Sequence, residues 1–425
     1  MNHMRWVCIG LMAGGCGGAG SGDPTTPGAV AIRVIEGPAP TPASGGATVY
    51  VRGADGSSAQ ADTDAGGVAR LQLAAGAAPW SVTAVRRGFG AVSVVGVRGS
   101  LDGALRLDPV AAPDYGALVA VRGAITGTQP GADVQVDAMN FETVSHARGA
   151  FNSRFYVSGG DLPLALVGLE FDARGDLVNA ASSAPLARGT SPLVVDLMFP
   201  ATPPPVTRAT TLVSLPGRGA LTSALDVRLV TGAQRLSRGS HEEAWVLVGT
   251  GRAQGRTSEG VRFEFQTLGG ELAPDVAYAQ LVDGSQRAIV NVAFHGLATE
   301  GSLAIGAVDA LDVVGAALGD AAMSARGEGC DAYQLSARGP GAEAPAWRVY
   351  TTDCTPADRV AFPDLPPGWS PATIGLSGEV FALAMAIKMR RGAPRPWETR
   401  ALNSALPEYD YTVGGVTTRL AATWR

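Results

Sequence analysis

Glycine and proline punctuate this chain so often that long helices are excluded at the outset. With 57 glycines and 28 prolines in 425 residues, they make up a fifth of the sequence. Glycine loses the most backbone entropy in a helix, and proline removes a ladder donor and clashes with the preceding turn. Between the breaks lie short runs that alternate apolar and polar residues with period two, the pattern of half-buried strands. Disorder does not fit, because 46% of residues are hydrophobic and the mean hydropathy is +0.14. The fold class expected is all-β: tandem β-sandwich modules, immunoglobulin-like or transthyretin-like, followed by a larger β-rich C-terminal domain.

Alternation places strands at Val30–Ile35, Ala47–Val51, Val68–Leu73, Trp80–Val85 and Val92–Val97, with turns at Asp55-Gly56-Ser57 and Asp62 to Gly67. The next stretch repeats this plan at an offset of about 85 residues, by strand and turn order more than by identity. Gly131–Val136 falls where Gly46–Val51 fell, Ser145–Phe151 where Thr63–Val68 fell, and Ser158–Leu169 where Ala75–Val85 fell. Pro200, Pro203, Pro204 and Pro205 then mark an extended, semi-rigid spacer. Beyond it, Phe381–Met389 is Ala- and Met-rich, as a helix would be, but its large residues keep strict period two and predict a strand. The expected division is 16–29 tether, 30–112 first sandwich, 113–200 second sandwich, 201–205 linker, and 206–425 a larger domain, in one piece or split near 310–340.

Three segments carry a resemblance: G-A-T-V-Y-V (46–51), T-D-A-G-G-V-A-R-L-Q-L (63–73) and W-S-V-T-A-V-R-R-G-F (80–89). Together they resemble the carboxypeptidase regulatory-like domain, a transthyretin-like β-sandwich. Trp80 stands where that family usually has tyrosine. The resemblance implies a folded spacer or interaction module and no peptidase activity.

The N-terminus reads as an address. Arg5 is followed by the apolar run Trp6–Met12 and the small residues Ala13, Gly14 and Gly15, directly before Cys16. This resembles a bacterial lipoprotein signal, in which Cys16 is acylated and becomes the first mature residue. Ala13 departs from the leucine usual three residues before the cysteine. Gly17 lacks the aspartate that retains such proteins at the inner membrane. The resemblance therefore implies a signal peptide at 1–15, a membrane partner reached through an N-terminal lipid anchor, and an outer-membrane location, periplasmic or surface-exposed. An ordinary cleaved signal is the alternative. Of the four cysteines, Cys8 lies in the leader, leaving Cys330 and Cys354 as one expected disulfide or two buried thiols.

The remaining chemistry is sparse. The formal net charge is −5 and Lys388 is the sole lysine, so neither a nucleic-acid footprint nor a phosphate-binding G-K-[ST] loop is expected. Asp62-x-Asp64-x-Gly66-Gly67 opens like a calcium loop but has Leu73 where an EF-hand needs glutamate, so it reads as turn chemistry. Ser240-His241-Glu242-Glu243 collects a hydroxyl, an imidazole and two carboxylates, yet neighbours on a strand point to opposite faces. No catalytic residue, metal ligand or cofactor is expected. Trp369 and Trp397, in the Pro-flanked segments P-P-G-W-S-P and P-R-P-W-E, are the candidate ligand-binding residues.

The function this supports is non-enzymatic binding, adhesion or envelope structure, with a protein or glycan ligand. One alternative is carbohydrate binding on the C-terminal aromatics, set against the simpler reading that they fill the core. Another is a hydrolase such as a glycosidase, which needs two carboxylates about 5–9.5 Å apart across a cleft.

Overall fold

A computed structural model describes residues 28–36, 43–74, 76–110, 118–138, 143–147, 149–156, 166–183, 193–215, 223–231, 246–269, 276–282, 289–296, 300–340, 345–399, 409–415 and 418–424. The described chain is built of strands in several sheets, with two short 3-10 turns. The all-β, sandwich-like fold class is as the punctuation predicts.

The first seven strands are β1 (Gly28–Glu36), β2 (Thr48–Gly53), β3 (Ser58–Asp62), β4 (Val68–Leu73), β5 (Trp80–Val85), β6 (Ala91–Val97) and β7 (Ala104–Leu107). They form two layers. One is a sheet of order β4-β1-β7, antiparallel between β1 and β4 and parallel between β1 and β7. The other is the antiparallel ribbon β3-β2-β5-β6. Alternation along β2 and β4 turns Val49, Val51, Ala69 and Leu71 inward, where they meet Ile32, Val34, Val82 and Leu105.

The next strands are β8 (Leu118–Thr126), β9 (Asp133–Ala138), β10 (Thr143–Ala147), β11 (Ala150–Tyr156), β12 (Leu166–Phe171), β13 (Leu177–Ser182), β14 (Leu193–Val194) and β15 (Leu197–Met198). Their topology repeats that of the first unit. One layer is β11-β8-β14, with β15 also on β8, antiparallel between β8 and β11 and parallel between β8 and the last strands. The other is the antiparallel ribbon β10-β9-β12-β13. The two units thus share strand order and direction throughout. The repeat read from turn order is a repeat of fold.

The remaining strands are β16 (Val206–Ser214), β17 (Ser223–Thr231), β18 (Val246–Thr257), β19 (Gly260–Leu268), β20 (Val276–Val282), β21 (Ile289–His295), β22 (Glu300–Ala304), β23 (Val308–Val314), β24 (Ala322–Gly327), β25 (Ala332–Arg338), β26 (Trp347–Thr351), β27 (Ala357–Ala361), β28 (Glu379–Met389), β29 (Tyr409–Gly414) and β30 (Thr418–Ala421). Most of them join one sheet, ordered β22-β16-β19-β18-β17-β20-β21-β29-β28-β25-β26. That sheet does not stop at β26. It continues in parallel onto β6 and through the whole ribbon of the first unit, with Trp347 opposite Ala91 and Thr351 opposite Val95. A smaller sheet, β23-β24-β27, packs beside it.

The strand β28 shows how sequence produces this layering. Val380, Ala382, Ala384 and Ala386 face one buried cluster, with Phe263, Phe294 and Trp347. Met385, Ile387 and Met389 face the other, which is the core of the first unit. Period two therefore survives as a small face and a large face, both mostly buried.

Candidate functional surfaces

The seam between β6 and β26 buries several polar side chains together. Arg348 is 2% exposed. Its Nη2 pairs with Asp108 Oδ2 at 2.8 Å and donates to the Arg106 carbonyl at 2.7 Å. Its Nη1 donates to the Thr399 carbonyl at 3.1 Å and to the Tyr350 hydroxyl at 3.3 Å. Burial pushes the Tyr350 phenol above its ordinary value, opposed by the neighbouring guanidinium. Next to it, Trp347 Nε1 donates to Ser93 Oγ at 3.1 Å, and Ser93 is bonded to Thr83. One arginine thus ties together the end of the first unit, β26 and the segment before β29. Gly90 permits the close approach, since a Cβ there would lie 2.4 Å from the Ala346 carbonyl oxygen.

Trp397 belongs to this same joint. It is 4% exposed, its Nε1 donates to the Asp102 carbonyl at 2.9 Å, and its ring meets Tyr350 edge-on at 6.4 Å. This corrects the expectation that Pro-flanking leaves it exposed. Pro396 starts a 3-10 turn (Pro396–Glu398) that turns the indole into the core of the first unit. Glu398 Oε1 accepts the Ala104 amide and Arg395 Nε pairs with Asp102, which pins the turn further. Trp369 differs. It is half-buried against the cluster of Phe263, Phe294 and Trp347, ahead of the 3-10 turn Pro371–Ile374. Trp347, fully buried, stacks at a tilt on Phe362 and Trp424 at 4.9 and 5.2 Å. The C-terminal tryptophans that are described therefore serve mostly as core, as the simpler reading of them holds.

Cys330 and Cys354 form a disulfide, with Cα atoms 5.5 Å apart across a sequence separation of 24. It links the β24–β25 connection to the β26–β27 connection, and so joins the small sheet to the large one. Tyr411 donates its hydroxyl to the Gly329 carbonyl at 2.8 Å beside it.

Titratable side chains gather at the ends of β21, β28 and β29. His295 Nε2 donates to the Tyr409 carbonyl at 2.9 Å and lies 3.9 Å from Asp410 Oδ1. Burial holds the imidazole below its ordinary 6.5, with the Tyr409 carbonyl opposing. Burial also raises the Asp410 carboxyl above 3.8, with His295 and Lys388 opposing. Lys388 Nζ pairs with Asp331 Oδ1 at 3.0 Å, and Asp331 Oδ2 accepts the Met389 amide at 2.7 Å. These groups are engaged with strand ends and with one another, as an ion-pair cluster closing a sheet. Among the described residues no group of three or more His, Cys, Asp or Glu side chains is placed to hold a metal.

The Asp62–Gly67 segment is turn chemistry. Asp64 Oδ1 accepts the Gly66 and Val68 amides, and Thr63 bonds the Ala47 amide and the Ser44 carbonyl. The bond from Val68, then Arg70, holds the Asp64 carboxyl below its ordinary value. Asp172 caps the β12–β13 turn likewise, accepting from Arg174 and Asp176. That turn docks the second unit on the C-terminal sheet. Asp176 pairs with Arg208 at 2.8 Å, and the Leu177 amide donates to Gln266 Oε1 at 2.7 Å. The Ser240–Glu243 cluster, Trp245 and Cys16 lie outside the described residues.

Sequence reading missed Arg348, Asp108 and Glu170. The signal for Arg348 was a lone charge inside the aromatic strand W-R-V-Y-T. For Glu170 it was a lone carboxylate inside L-V-G-L-E-F.

No protein-family model matches the chain, and no curated protein does. Solved structures with some likeness include the Bacillus anthracis TIE protein, at 10% identity and a TM-score of 0.16, covering 66% of this chain and 50% of that one. This chain thus spans about half the length of that protein. The fimbrial anchor protein Mfa2 from Porphyromonas gingivalis is 12% identical with a TM-score of 0.13, covering 61% and 79%. A calcium-stabilized ice-binding adhesin of an Antarctic bacterium is 15% identical, also at 0.13, covering 93% and 99%. TM-scores this low carry no argument, and the fold rests on the chain's own strand pairing.

Proposed function

We propose that this is an exported, lipid-anchored protein of β-sandwich units with a non-enzymatic role in binding, adhesion or envelope structure. Residues 1–15 are its signal and Cys16 its anchor. Residues 16–27 are its tether, since β1 begins at Gly28; two small sandwiches follow to residue 200, and 206–425 is the larger part joined to them. The observation that carries this reading is the duplicated β unit joined to a larger β body by strand pairing and buried side chains. Such a body holds its surfaces in fixed relation to one another, which suits a presenting or load-bearing scaffold. The Cys330–Cys354 disulfide accords with an oxidising compartment.

Mass spectrometry of the mature N-terminus in a membrane fraction tests the anchor. A triacylated Cys16 is expected, and an unmodified terminus on either side of it overturns this part. Crosslinking on intact cells, followed by identification of captured proteins, tests binding. Glycan binding is a second reading, favoured by the half-buried Trp369 in its proline turn. Loss of glycan-array signal in Trp369→Ala, with unchanged melting, would support it.

A further inference from the structure

The two small units share a topology, but one edge of it is covered in the first and bare in the second. In each, the last strand runs parallel to the centre of its layer: β7 beside β1, and β14 with β15 beside β8. On β7 the backbone groups turned away from β1 are taken up by the C-terminal body. The Ala104 amide donates to Glu398 Oε1 at 2.9 Å, and the Arg106 carbonyl accepts Arg348 Nη2 at 2.7 Å. This edge is therefore already an interface, closed from within the chain.

On the matching edge of the second unit, the Val195 amide donates to the Arg122 carbonyl and the Phe199 amide to the Thr126 carbonyl, both toward β8. Alternation then turns the backbone N–H and C=O of Val194 and Met198 the other way, to the edge. No described strand pairs with it. The side chains alternate as well. Val195, Leu197 and Phe199 enter the core of the unit, while Val194, Asp196 and Met198 face solvent. Val194 is 65% exposed and Met198 77%, whereas Ala104 at the covered edge is 4% exposed. Gly123 and Gly127 let the strand lie so close to β8 that a Cβ on either would collide with the Val195 and Phe199 carbonyls. A strand held in place, with outward backbone groups and apolar side chains, is a template for another strand.

We propose that the β14–β15 edge binds an extended segment of another protein, which adds a strand to this layer. Its backbone pairs with Val194 and Met198. Its side chains on the solvent face are apolar, basic and apolar at alternate positions. The apolar pair meets Val194 and Met198, and the basic residue meets Asp196 between them. Asp196 Oδ1 accepts the Ala124 amide at 2.8 Å, which holds the carboxylate at the edge. Opposite charges facing one another across strands stabilise the pairing. Arg122 stands on β8 opposite Val194, one strand in from the edge. This surface is independent of the lipid anchor proposed above.

A fluorescently labelled nine-residue peptide tests it against the full chain, read by anisotropy. The peptide is threonine throughout, except for valine at its third and seventh positions and lysine at its fifth, so that these three share one face. Saturable binding below about 1 mM is expected. Met198→Lys places a charge on the edge, which blocks strand addition. It should weaken binding about tenfold or more with unchanged melting. The wild type should prefer the lysine peptide over one with glutamate in its place by about threefold or more. Asp196→Asn keeps an acceptor for the Ala124 amide and should erase that preference, and it decides alone should Met198→Lys fail to fold. No binding up to about 1 mM, binding that survives Met198→Lys, or a lysine preference that survives Asp196→Asn overturns the proposal. So does a wild-type dimer that Met198→Lys converts to monomer, since the edge then belongs to a second copy of this chain.

Discussion

The two small units share every strand neighbour, yet the rest of the chain holds them differently. In the first, the ribbon edge formed by β6 is paired in parallel to β26, and the buried Arg348 pairs with the half-buried Asp108 beside the joint. In the second, the matching strand β13 ends its own ribbon. There the unit touches the C-terminal sheet through side chains: the Gln266 amide oxygen on a backbone N–H, and the part-exposed Asp176–Arg208 pair. One packing face, Val167, Leu169 and Phe171 against Leu268, completes that contact. The same fold can therefore be built into a sheet or leaned against it. Burial of the last ribbon strand does not separate the two cases, because β6 and β13 are both mostly buried.

That contrast predicts a ranking of effects. The largest should come from Arg348→Ala, which removes the buried guanidinium that pairs with Asp108 and satisfies the Arg106 and Thr399 carbonyls, and leaves Asp108 with Arg106. Breaking a buried pair from one side costs about 3–5 kcal/mol, read as a lower urea midpoint. Cys330→Ser with Cys354→Ser removes the closure of a loop with a sequence separation of 24. The expected loss is about 3.5 kcal/mol on the chain-entropy estimate, read by calorimetry under the same buffer. Trp397→Phe keeps an aromatic side chain but removes the indole donor to the Asp102 carbonyl and part of the buried ring, a loss of about 1–3 kcal/mol. Arg208→Ala, at the docked unit, should cost less than about 1 kcal/mol because the pair is solvated. A loss as large as that of Arg348→Ala would erase the distinction between the two joints.

The smallest effect should be a pH slope at the strand-end cluster. The His295 pKa is lower in the folded state than its unfolded 6.5. The unfolded chain therefore binds the proton more readily, and stability present above 6.5 is lost as pH falls through the folded value. The Asp410 pKa is raised above 3.8, so its contribution is present below that value and is lost as pH rises through the folded one. His295→Gln should flatten the fall in urea midpoint just below pH 6.5.

Much of this fold can be read from the sequence where one face of a strand is wet. The turn-and-alternation pattern marks β2 and β4, while β28, mostly buried on both faces, is marked as a strand only by the period of its large residues. Strands dry on both faces lose that signal. In β25, A-Y-Q-L-S-A-R, all but the last residue is buried, and in β20 all but one. Short, small-residue β3, S-A-Q-A-D, offers too little apolar surface to register. The placement of Trp397 escapes local reading for another reason. Its partner, the Asp102 carbonyl, is 295 positions away, and proline flanks describe only the turn. The disulfide is legible because cysteine is rare enough for counting to suffice.

The bond from Trp347 to Ser93 spans 254 positions. Contacts that remote slow folding, because a long loop must close before they repay its entropy. As the chain emerges from its N-terminus, β6 is made long before β26 exists. Until Trp347–Thr351 arrives, the strand A-V-S-V-V-G-V presents an open, apolar edge of the kind that recruits foreign strands. The interval between those two segments is thus the period in which this protein most needs protection from aggregation.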